Sequence, residues 1–419
     1  MAIREIEKAR FNELVKGMEG LTFYQSSNWA TLKSFTGWKA LFLAYENRNG
    51  VTEACGLFLL KKMPLFNAYL AYSPRGFLMN YHNLSLLEKA NEELIGYLKS
   101  KKVFHLIIDP YVEYTKHDID GKVIDETNNR KLLIERFKKI GYKHKGFNLY
   151  YENLQPRWLF RLPIKGKTYE EIEKGFKYEA KRRSRKKDFL GINVRPLNED
   201  EVPVYKSLME STAKRKGFID RSLEYYKQMY LALSPDGILR YMVAEIDCDK
   251  CRENVNKEIS KLETGLAKLY KNEERNKGRI KEDEVTLNSH KNLLVQLDKC
   301  EKELGKVAPL SAVCLLTYGK EAIMLLAGNN EEYLQHFNTS NIIVAELIKL
   351  AMKEGYDYYN FYGITGDFDP EKESYGLYLY KRQYGGEVVE LIGQFEYTIS
   401  KAMKNIYDLL LKVYALTKR

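Results

Sequence analysis

The chain has 419 residues, 44% of them apolar, enough for two or three domains with sizeable cores. Lys and Arg number 68 against 57 Asp and Glu, a net charge of +11 that favours anionic partners such as nucleic acid, phosphorylated metabolites or an acidic membrane surface. No apolar run approaches the roughly 18 residues of a membrane span, the start MAIREIEKARF has no signal-peptide core, and five cysteines are too few for a disulfide scaffold; a soluble cytoplasmic protein is expected.

Ser26-Ser27-Asn28 precedes Trp29 to Lys33 and reads as the cap of a short helix that carries Lys33 outward. Trp38–Tyr45 and Ala54–Lys61 read as strands around the turn Asn47-Arg48-Asn49-Gly50. Ala68–Gly76 is a further strand that ends in a Pro-Arg-Gly turn. Leu84–Lys101 is an amphipathic helix, and Val103–Asp109 a buried strand stopped by Pro110. Arg130–Ile140 is a helix closed by Gly141, and Tyr142–Tyr151 is expected to continue as a strand. Strands interleaved with helices indicate an α/β (α+β) fold.

The stretch Tyr178–Asp188, YEAKRRSRKKD, is dominated by one sign of charge. Lys181, Arg182, Arg183 and Arg185 are either a solvated helix face or a contact for the phosphates of a polyanion. A helix through Leu208–Arg215 ends in three cations, and Gly237–Ile246 is the next strand.

From Asp249 to Gly305 charged residues dominate and proline is absent. Val255, Ile259, Leu262, Leu266 and Leu269 form a heptad seam, and Leu293, Leu297, Cys300 and Leu304 a second. Two such helices joined through Lys271–Lys281, with Gly278 at the turn, give an antiparallel coiled-coil hairpin. Its basic tip, with Arg275, Lys277 and Arg279, is either a structural arm or a lever onto nucleic acid. Cys248 and Cys251 make a CxxC without a second ligand pair, so no metal site is expected.

Leu310–Tyr318 and Ala322–Ala327 read as a strand hairpin, Ile342–Lys353 as a helix, and Tyr356–Phe361 as a strand. A turn-rich acidic loop, Gly363–Gly376, follows, and the run Leu377–Tyr380 then delivers a single lysine, Lys381. A strand, an irregular loop and one positioned cation make a candidate site. Val388–Tyr397 reads as a strand. Ile399–Arg419 reads as a basic amphipathic helix that packs on the body or lies on an acidic membrane face.

The motifs QSSNWATLKSFTGW, YSPRGF, the strand ending in Asp109-Pro110, the Arg/Lys-rich helix at 178, the inserted heptad hairpin and GLYLYKRQYGG stand in an order that resembles the Fem family of peptidoglycan bridge-forming aminoacyltransferases. The resemblance implies two tandem GNAT-like domains, at residues 1–160 (completed by 396–419) and 161–395, with the hairpin 249–305 inserted in the second. It implies transfer of an amino acid from aminoacyl-tRNA to the stem-peptide amine of lipid II or UDP-MurNAc-pentapeptide, with no metal or dissociable cofactor. The family's catalytic lysine falls on Lys381, preceded here by Tyr380, and its Asp-Pro aspartate on Asp109. Its phosphate-binding lysine falls on Lys33 and its helix-end arginine on Arg215. Tyr72 and Arg75 are placed in the same groove. Leu326 stands where some members carry a substrate-contacting tyrosine.

Two other readings compete. An acyl-CoA-dependent N-acetyltransferase would need a Gly-rich pyrophosphate loop, for which Arg382–Glu387 is the nearest sequence, ending in Glu where Gly or Ala is wanted. A non-enzymatic RNA-binding protein would use the basic helix and hairpin and leave Lys381 without a role.

Overall fold

The structure, a computed structural model, describes residues 2–125 and 130–417. Lys418 and Arg419, within the expected last helix, lie outside the described residues. Two mixed sheets organise the chain. The first runs Ala2–Glu5, Lys39–Glu46, Thr52–Lys62, Tyr69–Ser73, Val103–Ile108, Phe395–Thr398, Lys143–His144, with Leu78–Met79 beside Thr52–Lys62. The second runs Ile192–Pro196, Leu239–Asp247, Val307–Tyr318, Glu321–Asn329, Tyr358–Ile364, Trp158–Pro163, Glu387–Leu391, Glu113–His117, Val123–Asp125.

Side-chain alternation along the central strands explains how the sheets pack. In Thr52–Lys62, Ala54, Phe58 and Leu60 face a core closed by the helices Leu84–Ser100 and Lys131–Lys139. Cys55, Leu57 and Leu59 face the other way, into a core shared with the second sheet. In Val307–Tyr318, Ala312, Cys314 and Leu316 enter that same shared core, while Val313 and Leu315 face the second sheet's own helix, Thr339–Lys353. The helices Ser27–Ser34, Val202–Lys216 and Leu223–Leu233 fill the space between the sheets. The Asn28 amide bridges them, donating to Ala232 O at 2.9 Å and to Asp236 Oδ2 at 2.6 Å.

The chain crosses between the sheets four times, entering the second at Glu113 and again at Trp158 and returning to the first at Lys143 and at Phe395. Glu113–His117 and Val123–Asp125 leave the first half to extend the second sheet, and Phe395–Thr398 returns to sit between Val103–Ile108 and Lys143–His144. The single strand expected over Val388–Tyr397 is therefore two strands in different sheets. The break falls at Gly393, whose φ of 97° suits glycine and whose Cβ, if present, would press on His144 and Arg157. The strand expected over Tyr142–Tyr151 stops at His144. Gly146, at φ 95°, turns the chain away, and Phe147, Leu149, Tyr150 and Tyr151 stand largely exposed.

The hairpin is present as helices Cys248–Leu269 and Glu273–Leu304, about 33 and 48 Å long at 1.5 Å per residue. Its turn is at Tyr270–Asn272, where the Asn276 amide donates to Leu269 O, and Gly278 is an exposed helical residue beyond it. One exposed glycine costs a helix only about 1 kcal/mol, and Ile280, buried at the hairpin seam, carries the apolar pattern past it. The five cysteines are all buried and free.

A candidate acyl-transfer site where two strands diverge

The parallel strands Glu321–Asn329 and Tyr358–Ile364 pair only through Glu321–Tyr358, Ala322–Tyr359 and Ile323–Asn360. Beyond these, the first strand keeps only its partner Val307–Tyr318, up to Asn329 against Ser311, and the second only Trp158–Pro163, up to Ile364 against Trp158. The strands therefore splay apart and open a gap in the middle of the sheet. Leu325, Leu326 and Ala327 on one side and Tyr362 on the other are half-buried there.

Lys381 lies beside this gap. The apolar run before it is a turn of the helix Tyr375–Arg382, with Tyr378 and Lys381 on its buried face. The lysine is buried, and its Nζ donates to Gly363 O at 2.6 Å. Burial pushes its ammonium down to about 7, and the charge of Lys216 adds to this. Lys216 ends the helix Val202–Lys216, which lies on Glu321–Asn329 so closely that a Cβ on Gly328 would meet the Met209 N–H at 2.6 Å. Lys381 thus stands between the end of one diverging strand and the helix that covers the other.

Tyr362, next to Gly363, has a left-handed backbone (φ 65°) rare for a bulky residue. The bend is held by its N–H, which donates to Asn360 Oδ1 at 2.8 Å. It sends the phenol across the inter-sheet space, where its OH hydrogen-bonds to Tyr24 OH at 2.6 Å and donates to Gln155 Oε1 at 2.9 Å. Beyond lies a buried polar cluster on the first sheet. Asp109 Oδ1 accepts from the Arg75 N–H at 2.7 Å, and Oδ2 accepts from Tyr72 OH at 3.1 Å and faces Arg75 Nη1 at 3.8 Å. Arg75 Nη2 donates to Pro156 O at 2.7 Å. Burial pushes the Asp109 carboxyl up to about 6 against the pull of Arg75. Burial likewise raises the Tyr24, Tyr72 and Tyr362 phenols. Arg75 lines a cavity of about 160 Å³ with Tyr81, His82, Tyr111 and Arg130. Tyr72, Arg75 and Asp109 are therefore brought together; their bonds with one another make Asp109 first of all the anchor of the Arg75 turn.

Lys33 is half-buried with its Nζ 4.5 Å from the Trp29 ring centroid. Burial brings its ammonium down to about 8, and the neighbouring Arg221 charge contributes. Arg215, the residue expected beside Lys33, instead pairs with Glu331 at 2.6 Å. Arg221 lies past the Gly217 cap, with its guanidinium carbon 4.7 Å from the Tyr225 ring. Neither Arg221 nor Tyr362 was singled out from the sequence. The one available signal for Arg221 is a second cation six residues beyond Arg215, after the helix has ended.

The basic helix is narrower than its sequence suggests. It spans Tyr178–Ser184; Arg182 and Arg183 pair with Glu179, and Lys181 and Arg185 with Glu173. At the hairpin, Arg279 reaches Asp283 at 3.9 Å, while Arg275 and Lys277 are exposed. Arg382–Glu387, the nearest sequence to a pyrophosphate loop, leads from a helix into the strand Glu387–Leu391. An anion cradle uses the opposite order, a loop whose N–H groups open a helix. Among the described residues no group of three or more His, Cys, Asp or Glu could hold a metal ion, and no helix is long and apolar enough to cross a membrane.

A splayed strand pair, a buried lysine at its edge and two mixed sheets sharing one core define an acyltransferase-like α/β protein. The model of the FemAB family matches residues 6–412, and the chain belongs to that family. Aminoacyltransferase FemA of Staphylococcus aureus (strain MRSA252) is 28% identical over 424 residues, covering 99% of each chain, and the same protein of strain N315 matches equally. The crystal structure of FemX superposes with a TM-score of 0.77 at 26% identity, covering 97% of this chain and 99% of that one. The resemblance read from the motif order is borne out, and the chain is a transferase.

Proposed function

We propose that the protein moves an amino acid from aminoacyl-tRNA to the stem-peptide amine of a peptidoglycan precursor, lipid II or UDP-MurNAc-pentapeptide, at the cytoplasmic face of the membrane. Membership in the FemAB family makes it an aminoacyltransferase of interpeptide-bridge formation. The observation that carries the site assignment is the buried Lys381 at the strand splay.

The donor is already activated as an ester, so the protein needs no nucleophile of its own. The acceptor amine attacks the ester carbonyl and forms a tetrahedral oxyanion. Collapse breaks the ester C–O bond, the ribose hydroxyl leaves with a proton, and an amide remains. The site must align two large substrates and stabilise that oxyanion. Lys381, pre-organised on Gly363 O, supplies the positive charge, for the oxyanion or for the terminal phosphates of the tRNA. Lys33 and Arg221 hold the acceptor's diphosphate. The Arg75–Asp109 pair shapes the pocket that receives the stem peptide, and the proton of the attacking amine passes to Asp109 or to solvent. Arg275 and Lys277 offer the tRNA a distant electrostatic contact.

The test is transfer of labelled amino acids from a set of charged tRNAs to both acceptors by the purified protein. Labelled product on either acceptor is expected. Absence of transfer to both, with acetyl-CoA consumed instead, overturns the reading.

A further inference from the structure

The helix Lys401–Thr417 uses only part of its apolar surface on the body. Met403, Tyr407 and Leu410 pack over Met63, Ala68 and Phe104. Ile406, Leu409, Val413 and Leu416 form a second stripe at intervals of 3, 4 and 3, and these side chains are 36%, 61%, 50% and 71% exposed. Such a stripe is normally buried. The turn that the helix leans on presents more apolar surface. Leu65 is 92% exposed and holds φ 66°, a conformation suited to glycine or asparagine, and Phe66 beside it is 36% exposed. A bulky apolar residue at a strained, solvent-facing turn gains nothing within this chain.

The rim of this surface is cationic. Lys62 precedes the turn and is in register with Tyr69, whose N–H donates to Lys102 O at 3.0 Å. Lys99 lies just before Lys102, and the helix itself carries Lys401 and Lys412. All five are exposed, and no ion pair of theirs occurs among the described residues. Exposed leucines and a phenylalanine ringed by unpaired lysines match the interface of an anionic phospholipid leaflet: acyl chains take the apolar stripe and headgroup phosphates take the lysines.

We propose that the face made by Lys401–Thr417 and the Leu65–Phe66 turn docks the protein on an anionic bilayer surface. This deepens the proposed function, since it places the protein beside a lipid-linked acceptor, but it rests on its own observations. The test is flotation of the full chain with vesicles of phosphatidylglycerol and phosphatidylcholine, against vesicles of phosphatidylcholine alone. Binding to the anionic vesicles is expected, with a fall of about tenfold or more for Leu409→Glu/Leu416→Glu and for Leu65→Asn/Phe66→Ser. The helix variant should keep its circular-dichroism melting curve and its transfer to the water-soluble UDP-linked acceptor. No binding to anionic vesicles, or binding that both variants retain, overturns the proposal. So does a wild-type dimer in sedimentation that the helix variant dissolves, because the stripe would then be a self-association face. Vesicle binding is read without turnover, so its failure is separate from a failure of the transfer assay.

Discussion

Lys381 Nζ donates to Gly363 O at 2.6 Å, across 18 residues that run from the open strand through the acidic loop into a helix. The bond holds the lysine at the splay without a carboxylate to neutralise it. An ammonium in that position serves best when an anion arrives, and the energetic consequence has a definite sign. The folded pKa lies near 7, below the usual 10.5. The cost of the buried charge is therefore fully present below pH 7 and fades as pH rises toward 10.5. Lys381→Met is expected to be more stable than the wild type at pH 7, by about 1 to 3 kcal/mol, with the difference shrinking by pH 10 in thermal melts. The same variant should lose about 10² to 10³ in kcat. For the wild type, kcat/KM should fall as pH rises through about 7, because the ammonium of the free enzyme is the active form. A profile that rises through the same range would assign the lysine to base catalysis instead.

Tyr362 and Tyr24 meet OH to OH at 2.6 Å although 338 positions separate them. This contact ties the open strand of the second sheet to the polar cluster of the first. Tyr362→Phe frees Tyr24 and Gln155 and should cost about 1 to 2 kcal/mol in urea unfolding. A double-mutant cycle with Tyr24→Phe should show a coupling of about 0.5 kcal/mol or more. Strictly additive effects would mean that each hydroxyl finds another partner.

These long separations mark what the sequence could and could not disclose. Lys381 could be singled out in the sequence because it follows an acidic, glycine-punctuated loop and a short apolar run, a local pattern. The Ser26 cap was legible for the same reason, and its Oγ does accept from the Trp29 N–H at 3.0 Å. The seam residues Val255, Ile259 and Leu266 are buried as their spacing requires. Tyr362 was not legible, since no periodicity announces a left-handed φ inside a strand. Arg221 was hidden because its closeness to Lys33 depends on the packing of Ser27–Ser34 against Leu223–Leu233, which the shared core dictates. The ion pairs of Arg182 and Arg185 were hidden in part by reading a basic run as one unit. Glu179 stood within it, but Glu173 lies outside it on the preceding helix.

Asp109 accepts three contacts from Tyr72 and Arg75 in a closed space. Asp109→Asn removes the counter-charge and leaves the Arg75 guanidinium buried and unpaired, which should cost about 3 to 5 kcal/mol. Circular dichroism should show a lowered Tm along with lost activity. If activity fell while Tm stayed within error, the carboxylate would act directly on the substrate amine.

Lys33 and Arg221 share one neighbourhood, and Arg215 is engaged by Glu331. Lys33→Ala and Arg221→Ala should each raise KM for the UDP-linked acceptor about tenfold with little change in kcat, the mark of binding lost equally from ground and transition states. Arg215→Ala should leave that KM nearly unchanged. The opposite ranking of the two arginines would return the diphosphate contact to Arg215.

The hairpin cations and the helix cations should separate by salt. Arg275 and Lys277 are exposed, whereas Arg182 and Arg185 are held by Glu179 and Glu173. If the arm meets the tRNA, Arg275→Glu/Lys277→Glu should raise KM for charged tRNA and flatten its dependence on salt concentration, because fewer counterions are released on binding. Arg182→Ala/Arg185→Ala should mainly shift thermal stability, and only slightly, because exposed ion pairs are screened by solvent. A KM for tRNA that is insensitive to the arm variant but sensitive to the helix variant would move the polyanion contact from the arm to the helix.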